Sequence, residues 1–342
     1  MAKSIVPKVP ARVDNFPLTK KLLACGHQRI NQGKVREIFN LPGHPDHMLV
    51  VVTDRLSAYD VVLSREFPLK GYSLNVMDHF SATVILKDFL HDIVASGADI
   101  DKYLSPPLRK DAELQARGKV VLKLKMLPIE CIARGYLFGG AWDGYQENRE
   151  YCGITFAEGL REGHPIHPAI FTPTTKEQEG HDEPLNSQQV EKQYSVKDYT
   201  LSMYEAAREH GRLRGVIVVD TKGEIGIDGD GNRRWGDERV TPDSSRFWPA
   251  DKYTLGGPIP PSMDKQYVRD YLKTVVTRFG PFPKLKPQMA EQRAAGHEVQ
   301  IPPEVVVRTS EIYPEVARIW TGVDLEVYMR DNLGIKDFRL KI

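Results

Sequence analysis

The sequence predicts an α+β fold, with a sheet-rich N-terminal lobe over residues 1–126 and a mixed α/β C-terminal lobe over 127–342 around a central cleft. Three observations predict it. Short β-branched runs at 48–52 and 61–63 dominate the first third. Apolar residues at helical spacing mark 74–94, 198–210, 264–278 and 303–320. Strands come first, and strands mixed with helices follow, which is the order of an α+β fold with a cleft in its sheet.

Residues 1–20 carry three prolines and no periodicity, and read as a surface lead-in. The strands 48–52 and 61–63 flank a polar loop at 53–60. Behind Ser73 as N-cap, Val76, Phe80, Val84, Leu86, Phe89, Leu90 and Val94 outline a long amphipathic helix over 74–94. Residues 119–127 alternate Val and Leu with Lys, as a strand with one wet face does. Tyr199, Leu201, Met203, Tyr204 and Ala207 define a helix that Gly211 would stop. After the strand 216–219, Asp228-Gly229-Asp230-Gly231 signals a tight turn, with 233–235 and 239–240 as the return side of a hairpin. The last two helices are 264–278, closed by Gly280, and 303–320, opened by Pro302 and Pro303. A Pro-rich polar linker, 281–300, joins them. There is no internal repeat and no low-complexity tract.

The chain has 342 residues, 41% of them hydrophobic and 27% charged, which is the composition of an ordinary folded globule. Lys+Arg 47 against Asp+Glu 46 leaves a net charge of +1, so there is no electrostatic case for a general nucleic-acid or anionic-membrane binder. Cys25, Cys131 and Cys152 form no CxxC pair and no disulfide framework, which predicts a reducing, cytoplasmic compartment. No apolar run approaches membrane-spanning length, and the N-terminus shows no signal-peptide core.

Five segments carry candidate chemistry. In Gly33-Lys34-Val35-Arg36, a glycine turn and one cation could close over phosphates, although the segment matches neither GxxxxGK[ST] nor GxGxxG and, taken alone, reads sooner as a plain hairpin turn with a solvated lysine. The loop 53–60 concentrates Asp54, Arg55, Ser57 and Asp60 between two strands. In a strand, Asp220, Lys222 and Glu224 share one face, and the hairpin would bring Asp237 beside Glu224. Two carboxylates and a lysine at a sheet surface suit a Mg²⁺ that keeps water and bridges nucleotide phosphates, and a salt-bridged exposed hairpin is the bland alternative. The run Thr241–Trp248 sets Asp243, Ser244, Ser245 and Arg246 between a proline turn and two aromatics, where a guanidinium beside hydroxyls can grip a phosphate. Glu130 and Arg134 precede a Gly-rich turn.

Six strings in this order, GKVREIF, DRLSAYDVVL, LPIECIARGYLFGGAW, IFTPTTKEQEGHDEPL, DTKGEIG and DERVTPDSSRFW, resemble the SAICAR synthetase family over about residues 33–248. The resemblance implies an ATP-dependent ligase of purine biosynthesis. It would join a carboxyaminoimidazole ribonucleotide (CAIR) to L-aspartate through an acyl phosphate, giving SAICAR, ADP and phosphate, with ATP and Mg²⁺ as cofactors. It also implies roles by position. Gly33, Lys34 and Val35 would lie over the ATP phosphates, and Lys125, Met126 and Leu127 would meet adenine. Glu224 and Asp237 would hold Mg²⁺, with Lys222 beside them as the third catalytic group. Arg134, Asp243, Ser245 and Arg246 would hold the ribonucleotide, chiefly its 5′-phosphate. Ser57 and Asp60 would lie near the reacting groups, and Asp182 with Glu183 on a closing loop.

Two departures from the family pattern stand out. Phe138-Gly139-Gly140 replaces the usual Thr-Gly-Ser, which removes a hydroxyl expected at the phosphate. Gly223 stands where an aromatic or aliphatic residue is common. The competing readings are an ATP-dependent small-molecule kinase in the same Mg-ATP cleft and a non-catalytic nucleotide-binding module. The first lacks HRDxxxxN and DFG segments. The second has no use for the clustered charge.

Overall fold

A computed structural model describes residues 16–176, 182–336 and 338–340. The chain divides into two compact units, both discontinuous in sequence. The first comprises the described residues up to His79, then Asp92–Lys123 and those from Lys265 onward. The second comprises Phe80–His91 and Leu124–Asp264. Both units mix helices with antiparallel sheets, as an α+β fold does.

The first unit is built on a five-stranded antiparallel sheet in the order Arg29–Gln32, Arg36–Asn40, His47–Val52, Gly118–Leu122, Ile93–Ser96. Phe39, Leu49, Val51 and Val120 pack with Leu18, Leu22, Ile100, Leu104 and Leu114. A second core joins Val52, Leu56, Val61, Leu63 and Phe67 to Val268, Leu272, Phe282, Leu285, Val305, Val306 and Tyr313. This second core corrects the expected division at residue 126, which assigned everything after it to the C-terminal lobe. The helices Gln266–Lys273 and Pro303–Thr321 bury their apolar faces in the first unit.

The second unit is organised by one twelve-residue strand, Val216–Ile227, much longer than the predicted 216–219. Its neighbours change part-way along on both sides. On one side, Ser245–Pro249 pairs with it up to Thr221, and Arg233–Gly236 takes over from Glu224. On the other, Ile129–Tyr136 covers Asp220–Gly223, and Lys125–Met126 pairs with Gly226 and Ile227. Pro165–Phe171 and Thr174–Thr175 pair onto Ile129–Tyr136. The helix Lys197–Leu213 packs on this sheet, with the Tyr204 hydroxyl donating to the Val218 carbonyl at 2.7 Å. Gly135 is where this hydroxyl needs room, since a Cβ there would come within 2.1 Å of it.

Several local expectations give way to tertiary effects. The helix expected over 74–94 begins at Lys70 and ends at Phe80, passing into a short π-turn at Ser81–Ile85. Ser73 is therefore inside the helix, where its hydroxyl donates to the Leu69 carbonyl. Asp54, distant in sequence, accepts instead from the Gly71 amide at 2.7 Å. The loop 53–60 contains a strand, Arg55–Ala58, turned back on Val61–Glu66 through Tyr59 and Asp60 at φ 51° and 62°. The strand expected over 119–127 breaks into Gly118–Leu122 and Lys125–Met126, and it has no wet face at Lys119, which is buried against Asp78 at 2.6 Å. The helix stop falls at Gly215, φ 70°, and Gly211 is inside the helix. The hairpin return ends at Gly236, before 239–240. Residues 281–300 contain the helix Ala290–Glu298, whose Gly296 packs on Val61, so they are not a linker. Among the described residues no helix is long and apolar enough to cross a membrane.

Candidate active site

The change of neighbours around Lys222–Glu224 opens the sheet. The segment between the two partner strands leaves as a loop and returns Asp237 to one end of the opening and Ser245 to the other. Asp237, at φ 59°, follows directly on Gly236, the register partner of Glu224. The Glu224 carboxyl is pushed above the usual glutamate range, first by burial and next by the Asp237 charge, while Lys176 and Lys222 pull it back. Lys176 is ion-paired to Glu224. Lys222 donates to Glu130 at 2.5 Å, and Glu130 also accepts from the Thr174 hydroxyl at 3.1 Å.

Two mutually repelling, partly desolvated carboxylates fit a Mg²⁺ ion that keeps most of its ligands as water and phosphate oxygens. Among the described residues no group of three or more His, Cys, Asp or Glu could form an all-protein cage. Met126 lies over Gly226 and Gly236, where Cβ atoms would come within 2.9 Å of its sulfur and 3.1 Å of its methyl. Gly223 is covered even more closely, since a Cβ there would fall 1.6 Å from Cζ2 of the buried Trp235. The side chain missing at 223 is thus replaced by an indole from the hairpin.

At the other end, Asp220 anchors two arginines. Its Oδ2 accepts from Arg134 Nη1 at 2.7 Å and also from Arg246 Nη1. Arg134 Nε donates to the Thr172 hydroxyl at 2.9 Å. Arg246 crosses Gly139, whose φ of 58° and ψ of −136° favour glycine and where a Cβ would come within 2.9 Å of the guanidinium. Arg246 Nε is buried with no hydrogen-bond partner among the described residues. Gly139 is the N-cap of the helix Gly140–Asn148 and contributes no capping side chain, so the first-turn amides are left without a side-chain cap. Ser245 Oγ and Thr221 Oγ1 are 2.7 Å apart, and Asp243 is held in its turn by its amide on Thr241 Oγ1 at 3.3 Å.

In the first unit, Gly33–Val35 forms the turn between Arg29–Gln32 and Arg36–Asn40. The buried Arg55 fixes the turn by donating to the Gly33 carbonyl at 3.2 Å and to Glu37 at 2.9 Å, and the Val35 carbonyl accepts from Thr53 at 2.8 Å. Lys34 donates to Asp60 at 2.5 Å, so two residues 26 apart in sequence meet at this turn. Ser57 lies on the adjoining hairpin opposite Val62.

The second unit therefore gathers Lys125–Leu127, Arg134, Lys222, Glu224, Asp237, Asp243, Ser245 and Arg246 around one strand, and the first gathers Gly33, Lys34, Val35, Ser57 and Asp60. A family model described as SAICAR synthetase matches residues 29–282. The chain belongs to the SAICAR synthetase family. The phosphoribosylaminoimidazole-succinocarboxamide synthase of Methylococcus capsulatus is 39% identical over 85% of this chain and 93% of its own. That of Syntrophotalea carbinolica is 37% identical over 86% and 94%. Among solved structures, the SAICAR synthase from Saccharomyces cerevisiae complexed with SAICAR superposes with a TM-score of 0.73 at 29% identity, covering 94% of this chain and 99% of that one. A SAICAR synthetase in complex with ADP shares the fold, with a TM-score of 0.58 at 19% identity over 86% of this chain and 98% of that one.

Residue-by-residue reading missed Lys176 and Thr172. Lys176 precedes 177–181, which lie outside the described residues, and no local pattern marked it. Thr172 reaches the site through strand pairing that spacing does not reveal.

Proposed function

We propose that this SAICAR synthetase family member is an ATP-dependent ligase. It joins the imidazole carboxylate of CAIR to the amine of L-aspartate through an acyl phosphate and releases ADP and phosphate. The reading is carried by the two-ended strand. Paired arginines on Asp220 lie at one end and paired acids at Glu224 at the other, four residues and about 13 Å apart along one face. A ribonucleotide held by its 5′-phosphate at the arginines directs its base toward the acids.

A carboxylate does not react with an amine at neutral pH, so the carboxylate is first phosphorylated and the aspartate amine then displaces phosphate. Positioning and neutralisation of charge supply most of the rate. Glu224 and Asp237 would hold Mg²⁺, which neutralises phosphate charge when bound. Lys222, fixed by Glu130, offers a cation to the transferring phosphoryl group. Gly33–Val35, with Lys34 oriented by Asp60, would cover the ATP phosphates, and Lys125–Leu127 would meet adenine. Arg134, Arg246, Ser245 and Asp243 would bind the ribonucleotide, and Ser57 would face the reacting groups. We assign the protein to the cytoplasm, where its free thiols at Cys25, Cys131 and Cys152 stay reduced.

Arg246→Lys tests the reading. Replacing a planar fork by a point charge should raise the KM for CAIR by roughly 10- to 100-fold and leave those for ATP and aspartate nearly unchanged. On the dephosphorylated nucleoside, wild type and variant should perform equally poorly. An equal penalty on nucleotide and nucleoside would detach Arg246 from the phosphate. Release of ADP should require both CAIR and aspartate, and steady turnover without aspartate would make the protein a kinase.

A further inference from the structure

The turn Phe138-Gly139-Gly140 lacks a hydroxyl at the end of the site where the arginines converge, and the structure supplies one from elsewhere. The helix Gly140–Asn148 ends at Arg149 in a left-handed conformation, φ 60°, and the chain reverses into the short hairpin Glu150–Tyr151 with Ile154–Thr155. This reversal lays the Tyr151 ring back along the helix it has just left. Two glycines one turn apart make the groove that receives it. A Cβ on Gly144 would come within 2.8 Å of Cδ2 of the ring, and a Cβ on Gly140 within 2.8 Å of its hydroxyl oxygen. The hydroxyl therefore occupies the space that a side chain at 140 would fill, at the open N-terminal turn of the helix.

Its surroundings suit an anion. The Arg134 guanidinium carbon lies 5.6 Å from the ring centroid, and Arg246 packs on the adjacent Gly139. Arg246 Nε remains buried and without a hydrogen-bond partner among the described residues. Burial raises the Tyr151 pKa more than Arg134 lowers it, so the phenol keeps its proton at neutral pH and can donate it in a hydrogen bond.

We propose that Tyr151 is a ribonucleotide-binding residue whose hydroxyl donates to the 5′-phosphate in place of a serine at position 140. This rests on the reading of the Arg134–Arg246 end as the phosphate site. Glycine at 140 and 144 is then the requirement for seating the ring, and position 151 takes over part of substrate recognition from position 140.

The test compares Tyr151→Phe, Gly140→Ser and the double variant as full-length enzymes, with CAIR and with its dephosphorylated nucleoside. Tyr151→Phe should raise the KM for CAIR about 10-fold, with kcat and the KM values for ATP and aspartate unchanged and no effect on the nucleoside. Gly140→Ser alone should also weaken CAIR, because its side chain meets the Tyr151 hydroxyl. Combined with Tyr151→Phe it should restore the KM for CAIR to within about 3-fold of wild type, since the serine now has both the space and the role. Tyr151→Phe without effect on CAIR, while Arg246→Lys raises its KM, would overturn the proposal and leave the phosphate site standing. If neither variant affects CAIR, the phosphate reading fails first. A double variant no better than Tyr151→Phe, or a penalty shared by the nucleoside, would also overturn the role of Tyr151.

Discussion

Replacing Asp220 by Asn removes one negative charge and leaves the shape. In the native protein the carboxylate takes a charge-assisted hydrogen bond from each of two guanidiniums, Arg134 at 2.7 Å and Arg246. Both arginine side chains are largely withdrawn from water, at 6% and 20% exposed. Each such bond is worth about 1.5–3 kcal/mol, and because both reach the same oxygen, an amide oxygen in its place can keep both as ordinary bonds worth about 1 kcal/mol each. Discounted for the partial exposure of Arg246, the expected loss is about 1–3 kcal/mol, below what breaking a buried pair outright costs. Urea unfolding followed by tryptophan fluorescence should show a lower midpoint at unchanged slope. Inorganic phosphate should recover more stability in Asp220→Asn than in wild type, because two arginines without a carboxylate bind an added anion more tightly. A loss below about 0.5 kcal/mol, or an identical response to phosphate in both proteins, would refute the claim that this carboxylate holds the arginines in register.

Three further outcomes are expected. Glu224→Gln and Asp237→Asn should each fold normally and lose on the order of 100-fold or more in kcat, with a higher Mg²⁺ concentration at half-maximal rate. Near wild-type turnover in either would remove that residue from the metal site. Glu66 sits above its usual pKa through burial and the Asp54 charge, against the pull of Arg117 and Arg55. The native state thus binds this proton more tightly than the unfolded chain, and stability falls as pH rises through the native pKa. Glu66→Gln should therefore raise the melting temperature at pH 7, with the gain fading toward about pH 4, where the glutamate is protonated in both states. A gain that grows on acidification would reverse the sign of the argument. Gly223→Ala should cost about 1–3 kcal/mol by driving a methyl into Trp235, and clearly less in a Trp235→Leu background. Equal penalties in the two backgrounds would show that the indole is not the obstacle.

What could be read from the sequence was local. Pro302 and Pro303 open a helix, and Asp228–Gly231 turns a hairpin, because these residues restrict their own backbone. The hairpin in turn correctly placed Asp237 beside Glu224, since strand register converts spacing into contact. Contacts made by the folded chain as a whole could not be read this way. Lys119 looked like a solvent-facing position until Asp78 met it in the interior, and Asp54 caps a helix whose own sequence offered Ser73. The apolar positions of 264–278 and 303–320 predicted buried faces without saying which unit would bury them. At the candidate site, the arginines were visible as residues, but their shared anchor on Asp220 and the return of Tyr151 depend on partners distant along the chain.

Gly223 beneath Trp235 also constrains how such a sequence can change. Starting from a bulkier residue at 223, the indole has nowhere to lie, so the glycine must arrive first and its cost must be borne alone. Once the tryptophan has settled over it, the way back is shut, because restoring any side chain at 223 now collides with a ring held by the Glu238 carbonyl, 2.9 Å from Nε1. Two substitutions that are each harmful in the wrong order thus become permanent in the right one. A chimera that carries the strand of one relative and the hairpin of another would inherit an empty space or a clash beside the Glu224 and Asp237 carboxylates, so the strand and hairpin must be exchanged together.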